Sequence, residues 1–128
     1  MLRVSQAVLE HTFYHLLSER PGEGVGLWAG RQGLVERAVP LPNVHPTPRV
    51  AYHADPAALL RAVQGLEREG LELLAIYHSH PYGPARPSPA DRGQAYWRVP
   101  YVIFALESGE VRAYNLPEGE EVRLHVEP

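Results

Sequence analysis

The chain has 128 residues, a length typical of one domain, and a formal net charge of −3 with neutral histidines. It contains no cysteine, which excludes disulfides, thiolate nucleophiles and cysteine-ligated zinc, so any bound metal needs histidine and carboxylate ligands. Acidic and basic residues are interspersed, which argues against nucleic-acid binding, and no apolar run approaches the roughly 20 residues that span a bilayer.

The first half of the chain predicts one helix followed by strands. Ser5 is a suitable N-cap, and the proline and two glycines of segment 19–24 end the helix. Strands are predicted over 25–31 and 34–43, joined by a tight turn, and a short strand over 50–54. No secretory signal is recognisable at the N-terminus, so we expect a cytoplasmic protein. The apolar stripe of the helix consists of Leu9, Phe13, Leu16 and Leu17.

The second half predicts two helices and four strands. Asp55 caps a helix with Pro56 at its first position, and Gly70 ends it. A mostly apolar strand follows over 71–80, and a short helix is predicted over 89–96. Alternating helices and strands indicate an α/β domain over 1–128 with a mixed sheet. The remaining predicted strands are 101–107, 110–116 and 121–127.

The segment HSHPYGPARPSPAD, residues 78–91, combines metal-ligand types at a strand end. His78 and His80 are two residues apart and therefore share one face of the strand. Two histidines and a carboxylate such as Asp91 would leave one tetrahedral zinc position open, the pattern of a catalytic site. The residues alone also permit a structural interpretation: two strand histidines, and a helix capped by Ser88 with Asp91 in its first turn.

This segment resembles the JAMM motif of the MPN-positive metallopeptidases, which is His-x-His, seven residues, Ser, two residues, Asp. That family has a glutamate far upstream, and the segment PGEGVGLWAG (21–30) is similar to its surroundings, with Glu23 in the glutamate's place. Residues 42–60 resemble the family's Asn-led loop, short strand and Asp-Pro helix start. The resemblance covers roughly residues 5–115. Val25 stands where many bacterial members have cysteine, and we expect it to pack in the core.

The resemblance implies a single-domain α-β-α layered MPN fold, similar to the cytidine deaminases, with a central mixed sheet. It implies one Zn²⁺ per chain, with His78, His80 and Asp91 as ligands. Glu23 is implied to orient and deprotonate the attacking water and to pass the proton to the leaving amine. Ser88 is implied to donate a hydrogen bond to the oxyanion.

The implied activity is zinc-dependent hydrolysis of a peptide or isopeptide bond. The bond follows the C-terminal Gly-Gly tail of a ubiquitin-like or sulfur-carrier protein, which is then the partner. The chain lacks the long insertions by which some relatives grip a ubiquitin pair, so we expect no linkage selectivity. The sequence leaves the natural substrate, the bond type, an activating partner and a homodimer open.

Three alternatives follow from the same resemblance. A non-enzymatic MPN scaffold is disfavoured because the ligand set is intact. A hydrolase that releases cysteine from a sulfur carrier stays open. A zinc deaminase of similar fold is excluded, since that chemistry uses H-x-E with P-C-x-x-C and this chain has no cysteine.

The other histidines are predicted to be of lesser interest. His11 and His15 share one helix face without an acidic partner motif, and we expect both at the surface. His125 is predicted on a strand surface, and no role is assigned to His45 or His53. Tyr82 lies in the loop between the ligands and is a candidate for a substrate groove.

Overall fold

The computed structural model describes residues 1–128 as three helices and eight strands. The helices and strands alternate over the first two thirds of the chain, and strands follow one another at the end. In chain order they are β1 (Leu2–Ser5), α1 (Gln6–Ser18), β2 (Val25–Arg31), β3 (Leu34–Leu41), α2 (Pro56–Arg68), β4 (Glu72–His80), α3 (Pro89–Gly93), β5 (Tyr101–Ala105), β6 (Val111–Asn115), β7 (Glu120–Val122) and β8 (Leu124–Glu127).

All eight strands form one mixed sheet in the order β7-β6-β5-β4-β2-β3-β1-β8. Strand β4 lies in the middle, antiparallel to β2 and parallel to β5. Strand β1 is parallel to both β3 and β8. A central strand is covered on both faces, which explains why the middle of β4 is continuously apolar.

Helices cover both faces of the sheet, as the predicted α-β-α layering requires. Helix α1 packs Val8 and Leu16 against one face, in a core that includes Trp28 and Tyr77. Helix α2 packs Leu66 against the opposite face. The predicted α/β class and layering are therefore confirmed. Val25 is fully buried in the core, as expected.

The predicted helix starts are confirmed by their side-chain caps. Ser5 accepts a hydrogen bond from the main chain of α1, and Asp55 does the same for α2. Gly70 has a φ of 74°, the left-handed conformation that ends α2. In α1 the stripe is shifted from the prediction, because Leu17 is 38% exposed while Thr12 is buried.

Several predicted boundaries are wrong. Residues 50–54 form no strand and make only an isolated bridge between Asn43 and Ala54. The segment 121–127 is divided into the separate strands β7 and β8, on opposite edges of the sheet. The third helix ends at Gly93, and strand β1 was not predicted. None of the helices combines the length and apolar character of a membrane span.

Candidate metal centre and active site

The carboxyl end of β4 carries the two histidines of the HxH pair. His78 and His80 point to the face covered by α2, because Ile76, two residues earlier, belongs to that core. Helix α3 follows the connecting loop and brings Asp91 beside them. All three side chains are buried. The structure thus brings together the three predicted ligands, which lie up to thirteen positions apart in the sequence.

The ligand atoms of these residues converge on one point. His78 Nε2 lies 3.3 Å from His80 Nε2 and 3.0 Å from Asp91 Oδ1. His80 Nε2 lies 2.9 Å from Asp91 Oδ2. Atoms coordinated to a tetrahedral ion with bonds of about 2.0–2.1 Å are roughly 3.3 Å apart. The spacing and the N/O chemistry of these atoms therefore fit a zinc ion.

The outer nitrogen of His80 supports this fit. His80 Nδ1 lies 2.9 Å from the carbonyl oxygen of Pro84, so the Nδ1–H donates to it and the Nε2 lone pair faces the cluster. His78 Nδ1 is buried without a partner. Two imidazole nitrogens facing each other across 3.3 Å beside a carboxylate form a centre that attracts a cation.

Asp91 has two functions in the fold. Its Oδ2 accepts from the main-chain N–H of Ser88 at 2.8 Å, while Ser88 Oγ accepts from the Asp91 N–H at 3.1 Å. This reciprocal pair is a capping box, as the structural interpretation of the sequence predicts. The same carboxylate faces both histidines, so the capping interpretation is confirmed and the ligand interpretation is compatible with it.

The charges of the cluster are strongly coupled. Burial opposes ionisation of Asp91, but His78, His80 and the Ser88 N–H hold the pKa of this carboxyl well below its usual range. Burial lowers the pKa of His78, and Asp91 only partly offsets it. Burial also acts to lower the pKa of His80, but its hydrogen bonds to Asp91 and Pro84 raise it overall.

Glu23 lies next to this cluster. Strand β2 pairs Val25 with His78, and continuing that antiparallel register by two residues brings Glu23 opposite His80. The residue is only 7% exposed, and its Oε1 is buried without a hydrogen-bond partner. Burial raises the pKa of Glu23 to about 7, against the opposing charge of His80 and reinforced by that of Asp91. This carboxylate exchanges its proton near neutral pH, as a general base requires.

Tyr52 separates the metal centre from an apolar cavity. Its ring stacks on His78 with centroids 4.4 Å apart and an interplanar angle of 29°. The hydroxyl is buried without a partner. The cavity has a volume of about 150 Å³, and its other walls include Leu59, Trp97 and Tyr101. An apolar group of a ligand can therefore lie within one ring thickness of the candidate metal site.

A second, wider cavity opens on the other side of Glu23. Its volume is about 730 Å³. The lining includes Glu19, Glu23 and Arg49 together with four prolines of the surrounding loops. Glu23 thus borders both a charged cavity and the three buried candidate ligands.

The remaining predicted residues lie outside the cluster. The surface prediction is confirmed for His11 but wrong for His15, whose Nδ1 lies 2.9 Å from the hydroxyl of buried Tyr77. His125 is exposed, as predicted. Tyr82 is 69% exposed and contributes to neither of the two cavities.

The two unassigned histidines stabilise loops. His45 Nδ1 accepts a hydrogen bond from the Thr47 main chain at 3.0 Å. His53 Nδ1 lies 3.2 Å from Gln94 Oε1, which joins the loop before α2 to the end of α3.

A family comparison agrees with this site. The model of prokaryotic homologues of the JAB domain matches residues 5–117. The chain belongs to this family. The match spans α1, the segment around Glu23, the HxH pair and Asp91.

Related proteins identify this JAB-domain chain as an enzyme. A Thermus thermophilus protein named probable TtuB-protein conjugate cleaving protease is 64% identical over 126 residues, covering 98% of this chain and 83% of the relative. The desampylase of Haloferax volcanii is 31% identical over 119 residues, covering 91% and 85%. The prediction of an enzyme is therefore confirmed, and the JAB-domain chain is a hydrolase of the protease type.

A solved structure supports the fold. The JAB1/MPN domain protein of Archaeoglobus fulgidus superposes with a TM-score of 0.71 at 21% identity, covering 98% of this chain and 97% of the other. The predicted MPN fold of this JAB-domain chain is therefore confirmed.

One residue of the site, Tyr52, was missed by the sequence analysis, and Asn43 was noted there only as the start of the Asn-led loop. Tyr52 falls in the segment wrongly predicted as a strand, and its stacking on His78 depends on tertiary packing. Asn43 anchors the loop that carries Tyr52, donating to the Glu23 carbonyl at 2.8 Å. It follows Pro42 at the end of a strand, where an asparagine often bonds neighbouring main chain, and this was the available signal for its role.

Proposed function

We propose that this chain is a zinc-dependent protease that cleaves the peptide or isopeptide bond after the Gly-Gly tail of a ubiquitin-like or sulfur-carrier protein. The observation that carries the proposal is the buried set His78, His80 and Asp91 beside the unpartnered carboxylate of Glu23. Zinc held by these three residues would act as a Lewis acid and make water nucleophilic near pH 7.

Glu23 is the general base and acid in this proposal. A carboxylate with a pKa of about 7 accepts a proton from the attacking water and returns it to the leaving amine at neutral pH. Its Oε1 has no competing partner, so it is free to accept that proton. Proton transfer by a positioned side chain typically contributes about 10²–10⁴ in rate.

Ser88 is the proposed donor to the oxyanion. Its Oγ accepts the Asp91 N–H, which leaves its own O–H free to donate. Ser88 is also fixed at the start of α3 by its main-chain bond to Asp91, so the donor is preorganised. One such donor is typically worth about 10²–10³ in rate.

The two cavities suggest how a substrate lies. Glu23 delivers a proton to the leaving amine, so the leaving group belongs on the side of the charged cavity with Glu19 and Arg49. The acyl side then extends toward Tyr52 and the apolar cavity of about 150 Å³. A cavity of this size holds a group as large as benzene. We infer that it receives one apolar side chain preceding the glycines of the tail.

The named relatives support a protein conjugate as substrate. The Thermus thermophilus relative is named for cleaving TtuB-protein conjugates, and the Haloferax volcanii relative is a desampylase. At 64% identity over 98% of the chain, the same substrate class is the best candidate here. Release of cysteine from a carrier is the alternative outcome to be tested.

The test compares wild type with Glu23→Ala. Zinc per chain is measured by mass spectrometry, and each protein is incubated with a ubiquitin-fold carrier joined through Gly-Gly to a lysine, to a peptide or to cysteine. One zinc in both proteins and cleavage of the lysine or peptide conjugate by wild type alone are expected. Absence of zinc, or equal cleavage by both proteins, would contradict the proposal. Cleavage of the cysteine adduct alone would favour the alternative.

A further inference from the structure

No hydrogen bond holds Oε1 of the Glu23 side chain in place. Its Oε1 is buried without a hydrogen-bond partner, so no side-chain contact fixes that oxygen. A general base nevertheless needs its oxygen within about 2.6–3.2 Å of the proton that it takes. The position of Glu23 must therefore be set by its main chain.

The main chain of Glu23 and Gly24 is held by four hydrogen bonds. The Glu23 N–H donates to the Pro48 carbonyl at 2.7 Å, and its carbonyl accepts from Asn43 Nδ2 at 2.8 Å. The Gly24 N–H donates to Ser79 Oγ at 2.9 Å, and its carbonyl accepts from the Ser79 N–H at 3.1 Å. Every polar main-chain group of the two residues is thus satisfied.

Ser79 differs from the other two partners because of where it lies. It is the middle residue between His78 and His80, and its side chain is on the opposite face of β4. It is completely buried. Asn43 and Pro48 are in a loop, whereas Ser79 is on the central strand that carries both candidate ligands. Its two bonds to Gly24 therefore fix the main chain next to Glu23 relative to those ligands.

Packing of α1 closes the remaining side of this segment. A Cβ on Gly24 would lie 2.6 Å from Leu16 Cδ2, so a side chain at this position would require Leu16 to shift. Leu16 of α1 therefore packs closely beside this segment. The Ser79 hydroxyl and the Asn43 amide are the two parts of this arrangement that a substitution can remove without a main-chain change.

We propose that Ser79 is a positioning residue for Glu23: its hydroxyl sets the distance from the carboxylate to the reacting water. The inference rests on the proposed function. A misplacement of about 1 Å typically costs about 10²-fold in rate. We expect Ser79→Ala to lower kcat about 10–100-fold with KM and zinc content unchanged. Ser79→Thr keeps the hydroxyl and should restore most of kcat.

Thr12→Ala is the matched control. The Thr12 hydroxyl is also completely buried and also accepts an N–H from another element, that of Trp28 Nε1 at 3.0 Å. It lies in the α1-side core, away from the candidate ligands. Its removal lowers the melting temperature but leaves kcat within twofold of wild type. An equal loss of kcat in Thr12→Ala would show that general destabilisation explains the effect and would overturn the proposal.

A double-mutant cycle tests whether Ser79 acts through Glu23. In a Glu23→Gln background, Ser79→Ala should cause no further loss of the residual rate, since the group that it positions is gone. A further tenfold loss in that background would overturn the proposal.

Hydrogen exchange supplies a measurement that does not depend on activity. The Gly24 amide should exchange about tenfold faster in Ser79→Ala, because it loses its acceptor, and at the wild-type rate in Thr12→Ala. Unchanged exchange at Gly24 would overturn the positioning role whatever the cleavage assay shows. A failure of the proposed function would be recognised differently, because the wild-type protein itself would then cleave no Gly-Gly conjugate.

Discussion

Replacing Glu23 with glutamine should raise the stability of the metal-free protein while abolishing its activity. Glu23 is 7% exposed, and burial raises its pKa from an ordinary value of 4.5 to about 7. The folded protein therefore binds the Glu23 proton more tightly than the unfolded chain does. The charged carboxylate destabilises the fold, and a neutral amide of the same shape removes that cost.

The magnitude follows from the two pKa values. At 1.36 kcal/mol for each tenfold change in the proton equilibrium, ionising Glu23 costs the fold about 3 kcal/mol at pH 8. The cost is absent below about pH 4.5, where the carboxyl is protonated in both states. It develops as the pH rises to about 7. The stability advantage of Glu23→Gln should therefore grow from near zero at pH 4.5 to about 3 kcal/mol at pH 8.

Denaturant unfolding of both proteins after chelation measures this difference, and a melting-temperature gain of roughly 10 °C at pH 8 should accompany it. Glu72→Gln is a suitable control, because Glu72 is exposed at the opposite end of β4. The stability of this control should stay within about 0.5 kcal/mol of wild type, as is usual for a surface substitution. A pH-independent difference for Glu23→Gln would refute the argument that burial of an unpaired carboxylate raises the pKa.

Four other outcomes are expected. Chelation should abolish cleavage and added zinc should restore it, whereas thiol-alkylating reagents should have no effect because the chain has no cysteine. Asp91→Asn should weaken zinc binding by about 100-fold or more in a competition assay with a chromophoric chelator; unchanged affinity would remove Asp91 from the ligand set. Trp97→Ala should raise KM about tenfold, with kcat unchanged, for a carrier with an apolar residue before its glycines, because Trp97 lines the apolar cavity. For a carrier with serine at that position, KM should be the same for Trp97→Ala and wild type. As the pH falls below a midpoint no higher than about 7, kcat/KM should fall tenfold per pH unit, because Glu23 must be deprotonated to act as a base. A bound cation lowers the pKa of Glu23 further and so moves the midpoint down. A kcat/KM that rises as the pH falls would contradict the base role.

Features encoded by neighbouring residues were predictable from the sequence. The caps Ser5, Asp55 and Ser88 depend on side chains within three residues of the bonded N–H, so their spacing is visible in the chain. The HxH pair is equally local, because two residues on one strand share a face. The meeting of His78 with Asp91 also follows from a strand, a short loop and a helix start.

Features created by distant contacts were not predictable in the same way. Residues 50–54 alternate like a strand, but Asn43 bonds the Ala51 carbonyl and the His53 N–H and so takes the place of a partner strand. Strand β1 has four residues and pairs with β8 at the far end of the chain, which leaves no local pattern. The stacking of Tyr52 on His78 likewise exists only once this loop has packed over β4.

The two sets of contacts made by Asp91, with the start of α3 and with the two histidines, have an evolutionary consequence. Its carboxylate caps helix α3 as well as facing the histidines, so a lineage that mutates Asp91 loses the helix cap together with the candidate ligand. Glu23 is the opposite case, since its loss relieves a buried charge. A descendant that no longer needed the reaction would drift first at Glu23 and would keep Asp91 under selection for folding alone. The two histidines and Asp91 would then be retained after the hydrolytic activity is lost. The presence of Glu23 would be the better sign that a homologue is still an active enzyme.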